Sequence, residues 1–191
     1  MEYLIISLGS YLLGSIPFGF ILTKIFLKKD IRHIGSGNIG ATNALRTGNK
    51  SIAYATLILD ITKAVLPVLY IKFSYPDYIY ITSLSVFLGH VFPVWLKFKG
   101  GKGVATYLGI LFSINIILGL VFVMSWAIIF LISKYSSLSS LIASLIIPIY
   151  LTIFENYSSI FFIIMFVLVF YTHRENVKRL KNKEETKTKI Y

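Results

Sequence analysis

The sequence contains no cysteine, which excludes disulfides, thiolate nucleophiles and cysteine-based metal sites. Acidic side chains are scarce: 8 Asp and Glu stand against 19 Lys and Arg, for a net charge of +11. Charge of either sign is thin, at 14% of residues, where a soluble domain carries about 25%. No polar stretch is long enough to build a water-soluble domain. The chain is apolar instead: 56% of its 191 residues are hydrophobic, and its mean hydropathy is +0.76. A bilayer core about 30 Å thick takes roughly 20 residues of helix per crossing. Seven crossings would use about 140 residues and leave only loops and tails. The expected fold is all-α, a polytopic membrane protein in which residues 1–191 form a single domain. In a soluble chain a charge this size would point to nucleic acid. Here the basic residues sit in short segments beside apolar runs, the pattern of membrane orientation. The expected partner is therefore the lipid bilayer and not nucleic acid.

The apolar segments can be counted along the chain. Residues 3–26 form the first, interrupted by Ser15, Pro17 and Gly19. Glu2 precedes it, no basic residue does, and no small-residue cleavage site follows, so a retained span is expected rather than a signal peptide. Residues 51–72, with Asp60, Lys63 and Pro67, and residues 78–96, with His90 and Pro93, are the next two. Residues 104–132 are apolar throughout except at Ser113-Ile114-Asn115, too long for one span and too short for two full ones. They read as a short helix followed by a full one. Residues 138–154 and 158–172 complete seven transmembrane helices, one of them short. With the N-terminus outside and the C-terminus cytoplasmic, every basic residue except Lys63 and Lys72 falls on the inner side, as the positive-inside rule requires.

Three polar segments carry chemistry: loop 28–50, loop 97–103 and the tail 173–191. The first holds Gly35, Ser36, Gly37, Asn38, Gly40, Thr42, Asn43 and Arg46. Gly35, Gly37 and Gly40 match a dinucleotide fingerprint, but that fingerprint has meaning only inside a βαβ unit, and this loop lies between two membrane helices. The physics survives: glycines let backbone N–H groups converge on an anion, and the polar side chains add donors. Arg46 adds a planar fork suited to phosphate. The second loop holds Gly100, Gly101, Lys102 and Gly103. It is not a Walker A loop, because Gly103 follows Lys102. It runs straight into a helix start, where unpaired N–H groups and the helix dipole favour an anion. Just before it, Pro93 cannot donate to the carbonyl of Gly89, so the backbone should open beside His90. His90 is therefore a candidate for a functional or a structural role. Asp60 and Lys63, at i and i+3, share a helix face and can pair. They read either as a buried structural pair or as support for the first loop. In the tail, His173, Asn176, Val177 and Leu180 share one helical face, which should turn His173 and Asn176 inward.

Taken together, the Ser15-Ile16-Pro17 break, residues 35–46, the Asp60–Lys63 pair, residues 89–106 and residues 173–180 resemble the bacterial acyl-phosphate:glycerol-3-phosphate acyltransferase (PlsY) family. The resemblance covers nearly the whole chain. It implies a seven-helix enzyme of the bacterial cell membrane with its site on the cytoplasmic side. The implied reaction moves an acyl chain from acyl phosphate to the 1-position of glycerol 3-phosphate, giving lysophosphatidic acid. No cofactor or metal is expected. By the same resemblance Ser36 and Arg46 are the essential pair of the first loop. Gly100 to Gly103, with Lys102, receive the phosphate of glycerol 3-phosphate, and His173 and Asn176 are the critical pair of the tail. A substrate phosphate is expected to take the hydroxyl proton, with His90 or His173 as the competing base. The chain departs from the family pattern at Ala64, where Gly is usual, and at Lys183-Glu184-Glu185, where Gly-Thr-Glu is usual. The alternative reading is a transporter for a phosphorylated solute. That would call for a midplane site and internal repeats, and the sequence has no repeat.

Overall fold

The computed structural model describes residues 1–154 and 159–188. It is helical throughout, with no strand among the described residues. Two compact units divide it, Met1–Ile114 and Asn115–Tyr191.

The first unit opens with α1 (Glu2–Gly14) and α2 (Phe18–Phe26). The expected single segment is thus two helices, because Pro17 has no N–H to continue the ladder. After a short 3₁₀ turn at Ile31–His33 come α3 (Ala41–Leu45), α4 (Lys50–Ser74), α5 (Ile79–Val91) and α6 (Val104–Ile114). The α4 N-terminus is capped by Asn49, whose Oδ1 accepts from the Ile52 N–H at 3.0 Å. Small residues set the helix contacts, as in other membrane bundles. Gly14 lies against the Val86 backbone, and Gly89 against the backbone of Tyr11 and Ser15, so α1 and α5 touch main chain to main chain. The α4–α6 contact is made the same way, with Gly109 set against Ile61 and Ala64. Loop 28–50 is a folded element with an apolar underside. Ile31, Ile39 and Ala44 are buried with Ile52, Ala53 and Leu96, and Phe20, Leu22, Leu27 and Leu45 pack around them.

The second unit holds α7 (Ile116–Ser133), α8 (Ser136–Phe154), α9 (Ile160–Thr172) and α10 (Arg174–Lys181). The division of residues 104–132 falls where expected: Asn115 caps α7, its Oδ1 accepting from Ile117 N–H at 2.8 Å. On α8, Ser137, Ser139, Ser140 and Ser144 are buried, and Trp126 of α7 donates its indole N–H to Ser140 Oγ at 3.1 Å. Ser158, the expected start of the last span, lies outside the described residues.

Among the described residues, five helical stretches are long and apolar enough to cross a membrane: Glu2–Phe26, Lys50–Ser74, Pro76–Leu96, Ile116–Ser133 and Ser136–Phe154. Ile160–Thr172 makes a sixth only when joined to Arg174–Lys181 across a 62° bend. The short helix α6 has 11 residues, and a rise of about 1.5 Å per residue carries it through about half of a bilayer core. Its last carbonyls, of Ser113 and Ile114, each accept from the Lys72 ammonium at 2.9 Å.

The Gly109 contact is tight enough to test. A methyl there would meet the Ile61 carbonyl oxygen at 2.5 Å and Ala64 Cβ at 3.2 Å. Gly109→Ala should destabilise the protein by about 1–3 kcal/mol, the usual cost of overpacking. Adding Ala64→Gly, which restores the residue usual in the family, should recover part of the loss because the Ile61 clash remains. Thermal denaturation in detergent reads both.

Candidate active site

The first loop is organised around one buried side chain. Asn43 accepts at Oδ1 from the Ser36 N–H (3.0 Å) and donates from Nδ2 to the carbonyls of Ile31, Ile34 and Asn38 (3.1, 2.8 and 2.8 Å). This corrects the expectation that Asn43 offers donors to a ligand, because its amide is committed to the loop's own backbone. Asn38 Oδ1 accepts from the Gly40 N–H at 2.8 Å, so that N–H is also taken up locally. Gly35 and Gly37 have φ of +53° and +72°, which a side chain would strain. Arg46 lies over Gly35, whose absent Cβ would meet the Arg46 Cδ at 2.7 Å. The fold therefore brings Ser36 and Arg46 to the exposed side of one short loop, with Thr42 exposed on α3.

Beside them is a shallow depression of about 390 Å³ lined by Lys29, Asp30, His33, Ile34, Arg46 and Thr47. Its one carboxylate is engaged elsewhere. Asp30 receives the Arg32 guanidinium at 2.6 Å, and that hydrogen bond holds its carboxyl well below the usual carboxylate range. No carboxylate pairs with Arg46 among the described residues. Lys29 and Arg46 thus give the depression a net positive lining.

The glycine loop has a different basis from the one expected. Gly100 N–H donates to the Val91 carbonyl and Gly101 N–H to the His90 carbonyl, each at 3.0 Å. These two N–H groups close the C-terminus of α5 and do not point to an anion. A Cβ on Gly100 would strike the carbonyls of His90 and Val91; on Gly101, the His90 ring; on Gly103, the Phe87 ring. The glycines are required because the loop lies directly on α5. Lys102 is half-buried between them. Upstream, Lys97 and Phe98 both take left-handed backbone, at φ +52° and +62°, and the Lys99 N–H closes the turn on the Leu96 carbonyl at 3.1 Å.

Asp60, Lys63 and His90 form a buried cluster. Lys63 Nζ is 2.8 Å from Asp60 Oδ1, and His90 Nδ1 is 3.6 Å from the same oxygen. Lys63 also donates to the Ile16 carbonyl at 2.8 Å.

In the second unit His173 and Asn176 are buried, on the inward face expected. His173 Nδ1 lies 2.8 Å from the Val169 carbonyl. A carbonyl only accepts, so Nδ1 carries the proton and, in the neutral ring, Nε2 is the acceptor. The residue that sequence reasoning undervalued is Glu185. It accepts from Ser137 Oγ (2.8 Å), Asn176 Nδ2 (2.6 Å) and Arg179 Nε (2.7 Å). Burial pushes its carboxyl up, but the bonds from Arg179, Ser137 and Asn176 outweigh burial and hold it below its ordinary value. The signal was there: an acid returning nine residues after Asn176 in a basic tail.

The structure thus defines an all-helical integral membrane protein that carries basic, glycine-rich loops. The profile of the glycerol-3-phosphate acyltransferase family matches residues 4–183, and the chain belongs to that family. It is 85% identical over 191 residues to the glycerol-3-phosphate acyltransferase of Pelagibacter ubique (strain HTCC1062), covering 100% of both chains. It is 49% identical over 189 residues to that of Anaplasma marginale (strain Florida), covering 97% of this chain and 95% of the relative. Among solved structures it is similar to PlsY (YgiH), an integral membrane glycerol 3-phosphate acyltransferase. The glycerol 3-phosphate form superposes with a TM-score of 0.90 at 36% identity, covering 98% of this chain and 96% of that one. The lysophosphatidic acid form gives 0.88 at 35% identity, covering 98% and 95%.

The Glu185 contacts give a pH dependence. A carboxyl whose folded pKa is depressed contributes stability above its unfolded pKa and loses it as pH falls through the folded value. The tail should therefore hold at neutral pH and loosen as pH drops below the ordinary carboxylate range. Glu185→Gln should produce that looseness already at pH 7, since hydrogen bonds to a charged group are worth about 1.5–3 kcal/mol each. Hydrogen exchange at the α10 amides reads the change.

Proposed function

We propose that this protein transfers an acyl chain from acyl phosphate to the 1-position of glycerol 3-phosphate. The products are lysophosphatidic acid and phosphate, and the reaction is the first step of phospholipid synthesis. Family membership supports the acceptor, and the lysophosphatidic acid form of the solved relative supports the product. The observation that carries the reading is Arg46, a guanidinium with no carboxylate partner among the described residues, exposed in a basic depression beside Ser36. A planar fork in that setting suits phosphate oxygens.

The chemistry fits an acyl phosphate donor. The acceptor hydroxyl oxygen bonds to the carbonyl carbon, and the bond from that carbon to the phosphate oxygen breaks. Phosphate leaves with the electron pair, and the hydroxyl proton passes to a phosphate oxygen. Phosphate is a good leaving group, so no activated nucleophile on the protein is required. The barrier lies in gathering two anions and stabilising charge on the carbonyl oxygen. In this reading Arg46 and Ser36, with Gly35, Gly37, Asn38, Gly40 and Thr42 shaping the loop, hold the acyl phosphate. Lys102 and the amides that open α6 take the glycerol 3-phosphate phosphate, and Gly100, Gly101 and Gly103 let the chain reach that position. His173 and Asn176 act on the acceptor, with His173 Nε2 the competing base. The family profile runs through both units, which supports residues 1–191 as one catalytic domain.

The direct assay uses purified protein in detergent with acyl phosphate and labelled glycerol 3-phosphate. Labelled lipid is expected from acyl phosphate and not from an acyl thioester, and no labelled lipid from either would overturn the reading. Arg46→Lys keeps the charge and loses the fork, so kcat/KM should fall at least tenfold, about 1.4 kcal/mol. Near-normal turnover in that variant would leave Arg46 with an orienting role only.

The proposed topology has seven crossings in the bacterial plasma membrane, the N-terminus outside and the three motifs on the cytoplasmic side. The chain has no cysteine, so single cysteines test it cleanly. Cysteine at Asn49 or Asn182 should resist impermeant reagents in intact cells, and cysteine at Tyr75 should react. Labelling of the Asn182 variant from outside would reverse the orientation.

A further inference from the structure

We infer that His90 is a positioning residue for the glycine loop, oriented by the buried Asp60–Lys63 pair, and that it does not act as the base. This rests on the acyl-transfer reading above and assigns the cluster beneath that site.

The ring of His90 is almost wholly enclosed by protein. Its side chain is 3% exposed, as are those of Asp60 and Lys63. Nδ1 faces Asp60 Oδ1 at 3.6 Å. The opposite edge lies under Gly101, close enough that a Cβ there would fall on Nε2 and touch Cε1 and Cδ2. A general base must come within about 2.6–3.2 Å of the proton it takes, directly or through one water. With a carboxylate facing one nitrogen from 3.6 Å and Gly101 packed against the other, the ring is a wedge. The main chain repeats the contact, since Gly101 N–H donates to the carbonyl of His90 itself. One turn back on α5, the Phe87 ring supports Gly103 in the same way, where φ is +83°. Phe87 and His90 are thus the platform that sets the height of Lys102 between them.

Asp60 and Lys63 give that platform its orientation. Lys63 is held by Asp60, by the Ile16 carbonyl at 2.8 Å, and by the Phe18 ring 5.7 Å from its nitrogen. Asp60 is therefore anchored to the α1–α2 break, and His90 is referred to that anchor through Asp60. Stability alone does not explain such a cluster. Buried ion pairs are often matched or bettered by apolar side chains of similar volume. What an ion pair adds is a directed edge: the imidazole turns Nδ1 toward the carboxylate and presents one flat face to the loop.

The test separates a wedge from a base by which kinetic constant moves. His90→Ala leaves a space beneath Gly101, and the KM for glycerol 3-phosphate should rise at least tenfold. In the same variant the KM for acyl phosphate and kcat should change less than threefold. His90→Phe restores a flat ring without nitrogens and should recover most of that rise. Gly101→Ala places a methyl on the ring and should raise the same KM. Combined with His90→Ala, which vacates the space, the two effects should be less than multiplicative. Asp60→Asn should shift the same KM in the same direction by a smaller factor. Each variant is compared with the parent for melting temperature in detergent, and a KM change confined to one substrate is not the mark of general unfolding. Loss of kcat by 100-fold or more in both His90→Phe and His90→Ala, with KM unchanged, would make His90 the base and overturn the inference. So would equal rises in both KM values at an unchanged melting temperature. Absence of labelled lipid with the parent protein would instead sink the acyl-transfer reading, so the two failures are distinct.

Discussion

Inside a bilayer a carbonyl released from a helix has no water to turn to, and each one left bare costs several kcal/mol. The first unit breaks its helices three times and answers that constraint each time with a named donor. At the α1–α2 break the Ile16 carbonyl accepts from Lys63. At the end of α5 the carbonyls of His90 and Val91 accept from Gly101 and Gly100, and that of Phe92 accepts from the Tyr11 hydroxyl at 2.6 Å. At the end of α6, Ser113 and Ile114 share the Lys72 ammonium. The break after α5 opens the glycine loop, so satisfying its carbonyls and shaping that loop are the same task.

This explains why ionisable groups lie deep in an apolar chain. Lys63 is the donor that a proline-broken helix lacks, and Asp60 is the counter-charge that makes a buried ammonium tolerable. The glycine loop has two duties that depend on each other. Its backbone completes α5, and by lying flat on α5 it carries Lys102 at a set height. In loop 28–50 the Asn43 amide does the corresponding work, drawing Ile31, Ile34, Ser36 and Asn38 around one side chain.

Much of this was legible in the sequence. Apolar run lengths fixed the helical class, Pro17 and Asn115 marked two breaks, and i, i+3 spacing paired Asp60 with Lys63. The motif loops stood out because glycine beside Lys or Arg is rare between apolar runs. What periodicity could not show was which donors of a loop face inward. Asn43 and Ser36 are alike as loop polar residues, yet one is buried in the loop and the other exposed. Gly101 carried a signal for close approach without naming the approaching group, which is the His90 ring. Lys183-Glu184-Glu185 stands where the family usually has Gly-Thr-Glu, yet its last residue keeps the carboxylate, which meets Ser137, Asn176 and Arg179. The span count was the least legible quantity, because the carbonyls that end α6 are received by Lys72, a residue of another helix.

The Lys72 cap on α6 has a consequence for the membrane itself. A transmembrane helix normally ends where headgroups and water can receive its carbonyls, so its length follows the thickness of the bilayer. The carbonyls of α6 end on an ammonium supplied by α4. Its length is thereby uncoupled from the lipid. A thicker or thinner bilayer would tilt or stretch the long helices around it, while α6 and the glycine loop at its start would feel the change only through α4 and α5, the helices they lie on.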